Sequence, residues 1–197
     1  MAYSDFTLRS VEKAFGLELE EKESLFGDIA SIAVPEGLQV FLTKWVPIAV
    51  STNTEKARSE MIIAPILMAL TELSPKPLGL FSGVTFDVDS ERGLTGVCDY
   101  LLSQSDDLFF PGSPIVTVVE AKKENIPLGL GQCLAELVAA QQFNQSEGIY
   151  RESLLGAVTI GNNWRFLKLS GIKAWVDLPE YGLAELGKIL AILLSGL

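Results

Sequence analysis

Two strand-like segments of the chain each carry an acidic residue that apolar neighbours surround. Asp99 lies in such a run, and a carboxylate buried in a strand is costly unless it is paired, protonated or bound to a metal. Glu120 ends the β-branched run at 114–120, and Lys122 follows two residues later. Because side chains alternate along a strand, Glu120 and Lys122 point to one face. If these two strands pair, Asp99, Glu120 and Lys122 converge.

Such a group predicts a divalent-metal site. Two carboxylates about 4–5 Å apart on neighbouring strands suit one hard cation such as Mg²⁺, or Mn²⁺ in its place. We expect Asp99 and Glu120 to be ligands and the backbone carbonyl of Ala121 to be a third. A metal in this position lowers the pKa of a bound water and neutralises charge on a phosphate. Lys122 would orient the attacking water or stabilise the developing charge.

The composition excludes most other catalytic designs. The 197 residues include no histidine, so Ser-His-Asp triads, HExxH zinc sites and histidine bases are absent. Two cysteines without histidine cannot make a structural zinc site, and both are expected to be buried, reduced thiols, which is typical of a cytoplasmic protein. The net charge of −10 counts against tight non-specific binding to nucleic acid, although a locally basic groove is compatible with it.

The segments that must position these residues follow a mixed pattern. The first third is expected to be helical. Its segments are a helix ending near residue 15, a solvated helix face at 18–23, a buried helix at 38–50 and a helix at 54–73 capped by Thr54. Strands are expected next at 78–88 and 94–103 as a hairpin, and at 114–120 as a buried central strand. A helix at 130–143, strands at 154–160 and 164–169, an edge strand at 172–178 and a helix at 183–194 complete the pattern.

This order predicts an α/β fold, a mixed β-sheet with helices on both faces. The length suits a single domain over 1–197. We divide it into an N-terminal helical extension at 1–53, a core at 54–170, and a C-terminal strand and helix at 171–197. No membrane contact is expected, because the most apolar stretch, 61–70, is about half the roughly 20 residues that span a bilayer.

The spacing of these residues resembles the PD-(D/E)XK nuclease superfamily. Asp99 is followed after about 20 residues by Glu120-Ala121-Lys122 at the end of an apolar strand. The resemblance implies a restriction-endonuclease-like fold with an αβββαβ core, and a Mg²⁺-dependent nuclease that hydrolyses phosphodiester bonds, in DNA rather than RNA. Cys98 stands where many members have a proline.

Further positions carry the same resemblance. Members often have a glutamate on the helix before the sheet and a glutamine on the helix after the lysine strand, and Glu60 and Gln132 fit these two places. The resemblance therefore implies catalytic roles for Glu60, Lys122 and Gln132. The segment GAVTIGNNWRFLKL at 156–169 looks like the hairpin that follows this helix in nuclease domains of the type I restriction type.

Two other functions stay open. The chain could be a non-catalytic restriction-endonuclease-like module for binding or assembly in a larger complex, which the acidic charge favours. A phosphohydrolase of small nucleotides is a weaker alternative, since no base pocket is evident. Hydrophobic residues make up 48% of the chain, which predicts either a well-filled core or a self-association surface. A homodimer through the apolar segment 183–197, or a partner protein, is therefore expected.

Overall fold

The computed structural model describes residues 1–105, 107 and 109–197. Their centre is a mixed sheet of eight strands, which confirms the predicted α/β class. The strands run in the spatial order β1-β7-β6-β5-β4-β3-β2, with the short β8 paired to β6. Their bounds are β1 (Glu18–Lys22), β2 (Gly79–Thr85), β3 (Val97–Ser103), β4 (Ile115–Ala121), β5 (Leu154–Thr159), β6 (Asn163–Ser170), β7 (Lys173–Asp177) and β8 (Tyr181–Gly182).

Helices cover both faces of this sheet. One face packs against α1 and α5, and the other against α2, α4 and α6. A π-helical segment, Ser59–Ile63, joins α3 to α4 just before Pro65, whose ring cannot fit a regular preceding turn. The helix bounds are α1 (Leu8–Phe15), α2 (Glu36–Thr52), α3 (Glu55–Arg58), α4 (Ala64–Leu73), α5 (Ile126–Ser146) and α6 (Leu186–Ser195).

The central strands of the sheet, β2 to β5, determine where the carboxyl end of β4 lies relative to α5. Strands β2, β3 and β4 are antiparallel, whereas β4 and β5 are parallel. A parallel pair needs a crossover, and α5 supplies it. Every residue of β4 is buried, as expected for a strand covered on both faces. The carboxyl end of β4 and the start of α5 therefore meet at one end of the sheet.

Two predictions about the sheet edge were wrong. The segment 18–23 was expected to be a helix face, but Glu18–Lys22 forms β1 and pairs in parallel with β7. Strand β7 is consequently interior, not an edge. Four of the five β1 residues are exposed, so no buried apolar pattern marks this strand in the sequence. Its charged side chains suit an edge, because charge discourages pairing with further strands.

Most hydrophobic residues of the described chain are buried in its two core clusters. Helix α6 was expected to offer a homodimer face, but its apolar side chains lie in the chain's own core and are already covered. Helix α2, expected to be buried, instead exposes Val40, Phe41 and Ile48. Among the described residues, no helix combines the length and the apolar character needed to cross a membrane.

Candidate functional site

The register of β3 and β4 brings the two predicted acidic ligands together. Tyr100 pairs with Val119, so the next residues along these antiparallel strands, Asp99 and Glu120, face each other. Asp99 is half-buried, and its Oδ2 accepts a hydrogen bond of 2.7 Å from the backbone N–H of Ala121. This bond fixes the Asp99 carboxylate at the end of β4.

Lys122 and Gln132 complete the same cluster. The Lys122 Nζ lies 2.5 Å from the Glu120 Oε1 and donates a 3.0 Å hydrogen bond to the Gln132 Oε1. Gln132 lies on α5, which packs against β4. The structure therefore gathers Asp99, Glu120, Lys122 and Gln132, four of the residues that the sequence selected.

A glycine in α5 makes room for the lysine. A Cβ at Gly129 would lie 3.1 Å from both Cγ and Cε of Lys122, and 2.6 Å from a methyl carbon of Val158. A side chain at position 129 would therefore push the lysine away from the helix. Glycine destabilises the interior of a helix. At position 129 this cost is offset because Lys122 can approach α5 closely.

Burial and charge set the electrostatics of the cluster. Burial first, and then the Asp99 carboxylate, raise the pKa of Glu120 to about 8 against the opposing effect of Lys122. Burial also disfavours the charge on Lys122, but the Glu120 carboxylate, its hydrogen bond and the Asp99 carboxylate together outweigh burial and hold the pKa of Lys122 above its usual value. When Asp99 and Glu120 are both ionised, two carboxylates face one ammonium, so a second positive charge would stabilise the cluster.

The donor atoms fit a hard cation. The Glu120 Oε2 is buried and has no hydrogen-bond partner among the described residues, which leaves an oxygen available as a ligand. The Ala121 N–H faces the β3 side, and its carbonyl shares that side because the two groups of one strand residue point the same way. Over residues 1–105, 107 and 109–197, no three acidic, cysteine or histidine side chains are already grouped as metal ligands. Backbone oxygen and water would supply the remaining ligands, as is usual for Mg²⁺.

A cleft of about 230 Å³ opens beside Asp99. It gives a substrate access to Asp99 and the Ala121 backbone. A larger cavity of about 400 Å³ lies between α2 and the start of α6, but no charged side chain lines it, so it offers no comparable chemistry. The smaller cleft is lined by Glu55, Lys56, Ser59, Ser82, Gly83, Asp99 and Ala121.

Glu60, the fifth side chain selected from the sequence, lies apart from this cleft's lining. Its side chain is 59% exposed and pairs with Lys56 at 3.2 Å. Glu55 lines the cleft instead, at the start of α3 where Thr54 accepts a capping hydrogen bond from Ala57. Glu55 belongs to α3 and Glu60 to the π-helical segment, and of the two only Glu55 is among the residues that line the cleft. The predicted role of Glu60 stays a prediction, and Glu55 is the acidic helix residue nearer to the site.

Sequence reasoning also missed Glu136. This residue is completely buried on α5, one turn after Gln132, and its Oε1 accepts a 3.1 Å hydrogen bond from the Gln132 Nε2. Burial raises the pKa of Glu136 well above its usual value. A lone glutamate among the small and apolar residues of α5 was the available signal.

The hairpin motif at 156–169 has a structural role in this fold. Its turn is tied to α3 by Arg58, whose Nη1 donates to the Ile160 carbonyl and to the Asn162 Oδ1, each at 2.9 Å. Trp164 is fully buried and donates from Nε1 to the Gly161 carbonyl at 3.0 Å. These contacts hold the helix that carries Glu55 against the sheet.

Comparisons with known proteins assign the chain to no group. No protein-family model matches it, and no curated protein shows significant similarity to it. The resemblance to PD-(D/E)XK nucleases therefore rests on the motif residues and their arrangement.

Proposed function

We propose that the chain is a Mg²⁺-dependent nuclease of the PD-(D/E)XK type with a restriction-endonuclease-like fold. The observation that carries the proposal is the convergence of Asp99, Glu120 and Lys122 at the end of two paired strands. The order α4, β2, β3, β4, α5, β5 agrees with an αβββαβ core, and the parallel β4–β5 pair is consistent with it.

Each residue of the cluster has a distinct task in this mechanism. Asp99, Glu120 and the Ala121 carbonyl would hold Mg²⁺ or Mn²⁺, which supplies charge neutralisation and a water of lowered pKa when bound. Lys122 would use its ammonium to orient the attacking water or to stabilise the developing charge. Gln132 keeps that ammonium in place through its side-chain oxygen.

We propose DNA as the substrate because of the family resemblance. Lys56 lines the cleft, but Glu55 and Asp99 line it as well, and the chain as a whole has a net charge of −10. A protein that neutralises few phosphates depends weakly on salt and binds non-specific DNA weakly. We therefore expect a high Michaelis constant and a small effect of ionic strength on binding.

Cleavage assays test this function directly. Purified protein is incubated with plasmid, single-stranded DNA and RNA in Mg²⁺, in Mn²⁺ and in EDTA. We expect cleavage with either metal and none in EDTA. Metal binding by calorimetry without cleavage of any substrate would instead support the non-catalytic module, which the net charge of −10 favours.

Glu55 and Glu60 offer a matched pair of substitutions on the same helical run. Because Glu55 lines the cleft and Glu60 pairs with Lys56 at the surface, Glu55→Gln should reduce cleavage at low Mg²⁺ concentration by about tenfold. Glu60→Gln should change it by less than about twofold. Titration of the cleavage rate against Mg²⁺ concentration provides the measurement. A larger effect from Glu60→Gln would restore the role that the sequence predicted for Glu60.

A further inference from the structure

A third acidic residue, Glu136, adjoins the Lys122 cluster through Gln132 and has no part in metal binding or hydrolysis as described above. Glu136 is 0% exposed on α5, one turn after Gln132. Its Oε1 accepts one hydrogen bond from Gln132, and its Oε2 has no partner in the part of the chain that the structure describes. Burying a carboxyl group with a single hydrogen bond is unfavourable for folding, so this residue needs a reason other than stability.

The side-chain amide of Gln132 bridges two different partners. Its Nε2 donates to the Glu136 Oε1 at 3.1 Å, and its Oε1 accepts from the Lys122 Nζ at 3.0 Å. An amide has a donor end and an acceptor end, so an acceptor behind it decides which end faces the lysine. With the acceptor removed, the amide is free to turn and present its NH₂ group to the ammonium, which is a repulsive contact between donors.

This orientation matters because the ammonium is shared. The Lys122 Nζ has two side-chain acceptors in the cluster, the Glu120 Oε1 and the Gln132 Oε1. In the proposed nuclease Glu120 is also a metal ligand, which weakens its hold on the lysine. Gln132 is then the acceptor that keeps the ammonium in one place.

We propose that Glu136 is a positioning residue that orients the Gln132 amide and, through it, the ammonium of Lys122. This inference rests on the proposed nuclease function for its effect on cleavage. The orientation of the amide itself is independent of that function. Burial keeps the pKa of Glu136 well above its usual value, so a neutral side chain of the same shape should replace it.

Two substitutions at this position separate the hydrogen bond from packing. Glu136→Gln keeps an oxygen that can accept from the Gln132 Nε2, whereas Glu136→Leu fills the space without any acceptor. We expect Glu136→Leu to lower kcat by about tenfold with KM unchanged, and Glu136→Gln to retain wild-type kcat. Because a buried polar group is replaced by an apolar one, Glu136→Leu should fold at least as stably. If it does not fold, Glu136→Met serves as the variant without an acceptor.

The decisive test combines a double-mutant cycle with nuclear magnetic resonance. In a Gln132→Ala background, Glu136→Leu should lower kcat no further, because its effect passes through Gln132. The side-chain NH₂ protons of Gln132 should exchange with solvent at least about tenfold faster in Glu136→Leu than in wild type, and at the wild-type rate in Glu136→Gln. Unchanged exchange in Glu136→Leu, or a full further loss of kcat in the Gln132→Ala background, would overturn the inference. If the wild type cleaves nothing, the nuclease proposal fails, and the amide exchange still decides the role of Glu136.

Discussion

Replacing Lys122 with methionine is expected to lower cleavage by about 100- to 1,000-fold while metal binding persists. Methionine approximates the length of the lysine stem and keeps its packing against Gly129, but it removes the ammonium beside Glu120. The metal ligands Asp99 and Glu120 remain. The rate should therefore fall through kcat, with little change in the dissociation constant for Mg²⁺ measured by calorimetry.

The neighbouring lysine provides the control for this experiment. Lys123 is exposed and pairs with Glu124 at 3.2 Å, outside the cluster, so Lys123→Met should retain wild-type kcat. Both variants lose one positive charge, so a general effect of net charge would lower both rates equally. Equal cleavage by Lys122→Met and wild type would contradict the assigned role of Lys122.

The second large effect concerns stability and pH. Burial and the Asp99 carboxylate raise the pKa of Glu120 from 4.5 to about 8 in the folded protein. Between these two values the folded state keeps a proton on Glu120 that the unfolded state releases. The contribution of Glu120 to stability is therefore lost progressively as pH rises from about 4.5 to 8. One pKa unit corresponds to about 1.4 kcal/mol, so the loss is on the order of a few kcal/mol.

Substitution of Glu120 isolates this contribution. Glu120→Gln cannot ionise, so we expect it to be more stable than wild type at pH 8 and of similar stability near pH 5. Urea unfolding at pH 5, 6, 7 and 8 gives the comparison, with the exposed Glu124→Gln as control. Parallel stability curves for wild type and Glu120→Gln across this range would show that Glu120 is not held neutral by the fold.

Bound Mg²⁺ should offset the loss of stability that ionisation of Glu120 causes. A cation that binds only the folded state stabilises it, and it does so more strongly when its carboxylate ligands are ionised. Saturating Mg²⁺ should therefore raise the melting temperature of wild type more at pH 8 than at pH 6. In Glu120→Gln, Mg²⁺ should raise the melting temperature only slightly at both pH values, because one metal ligand is lost.

The interior of the sheet was accessible to prediction because its residues carry a strong local signal. The β-branched run of β4 is buried along its whole length. The apolar pattern after the Thr54 cap predicted a helical run before the sheet, and α3, the π-helical segment and α4 form that run. Edge strand β1 had no such signal, since its charged residues are ordered by pairing with β7 and not by burial. Tertiary pairing of this kind is not encoded in a local pattern.

In the candidate site, too, some residues could be predicted from local sequence patterns and others depend on tertiary packing. Alternation along one strand placed Glu120 and Lys122 on one face, and pairing of two strands brought Asp99 to them. The direction of Glu55 depends on where α3 begins and on the π-helical segment after it, which no short-range pattern fixes. A lone glutamate among apolar residues marked Glu136 in the sequence, but its complete burial became evident only from the packing of α5.

A crystal structure of the protein soaked in Mn²⁺ tests the central claim most directly. Anomalous scattering from manganese should give one peak between the carboxylates of Asp99 and Glu120, within ligand distance of the Ala121 carbonyl, and none in crystals of Asp99→Ala. The buried Glu120 Oε2, which has no partner in this structure, should be among the ligands. A fully soaked crystal with no peak at this position, or with the same peak in Asp99→Ala, would contradict the proposed metal site.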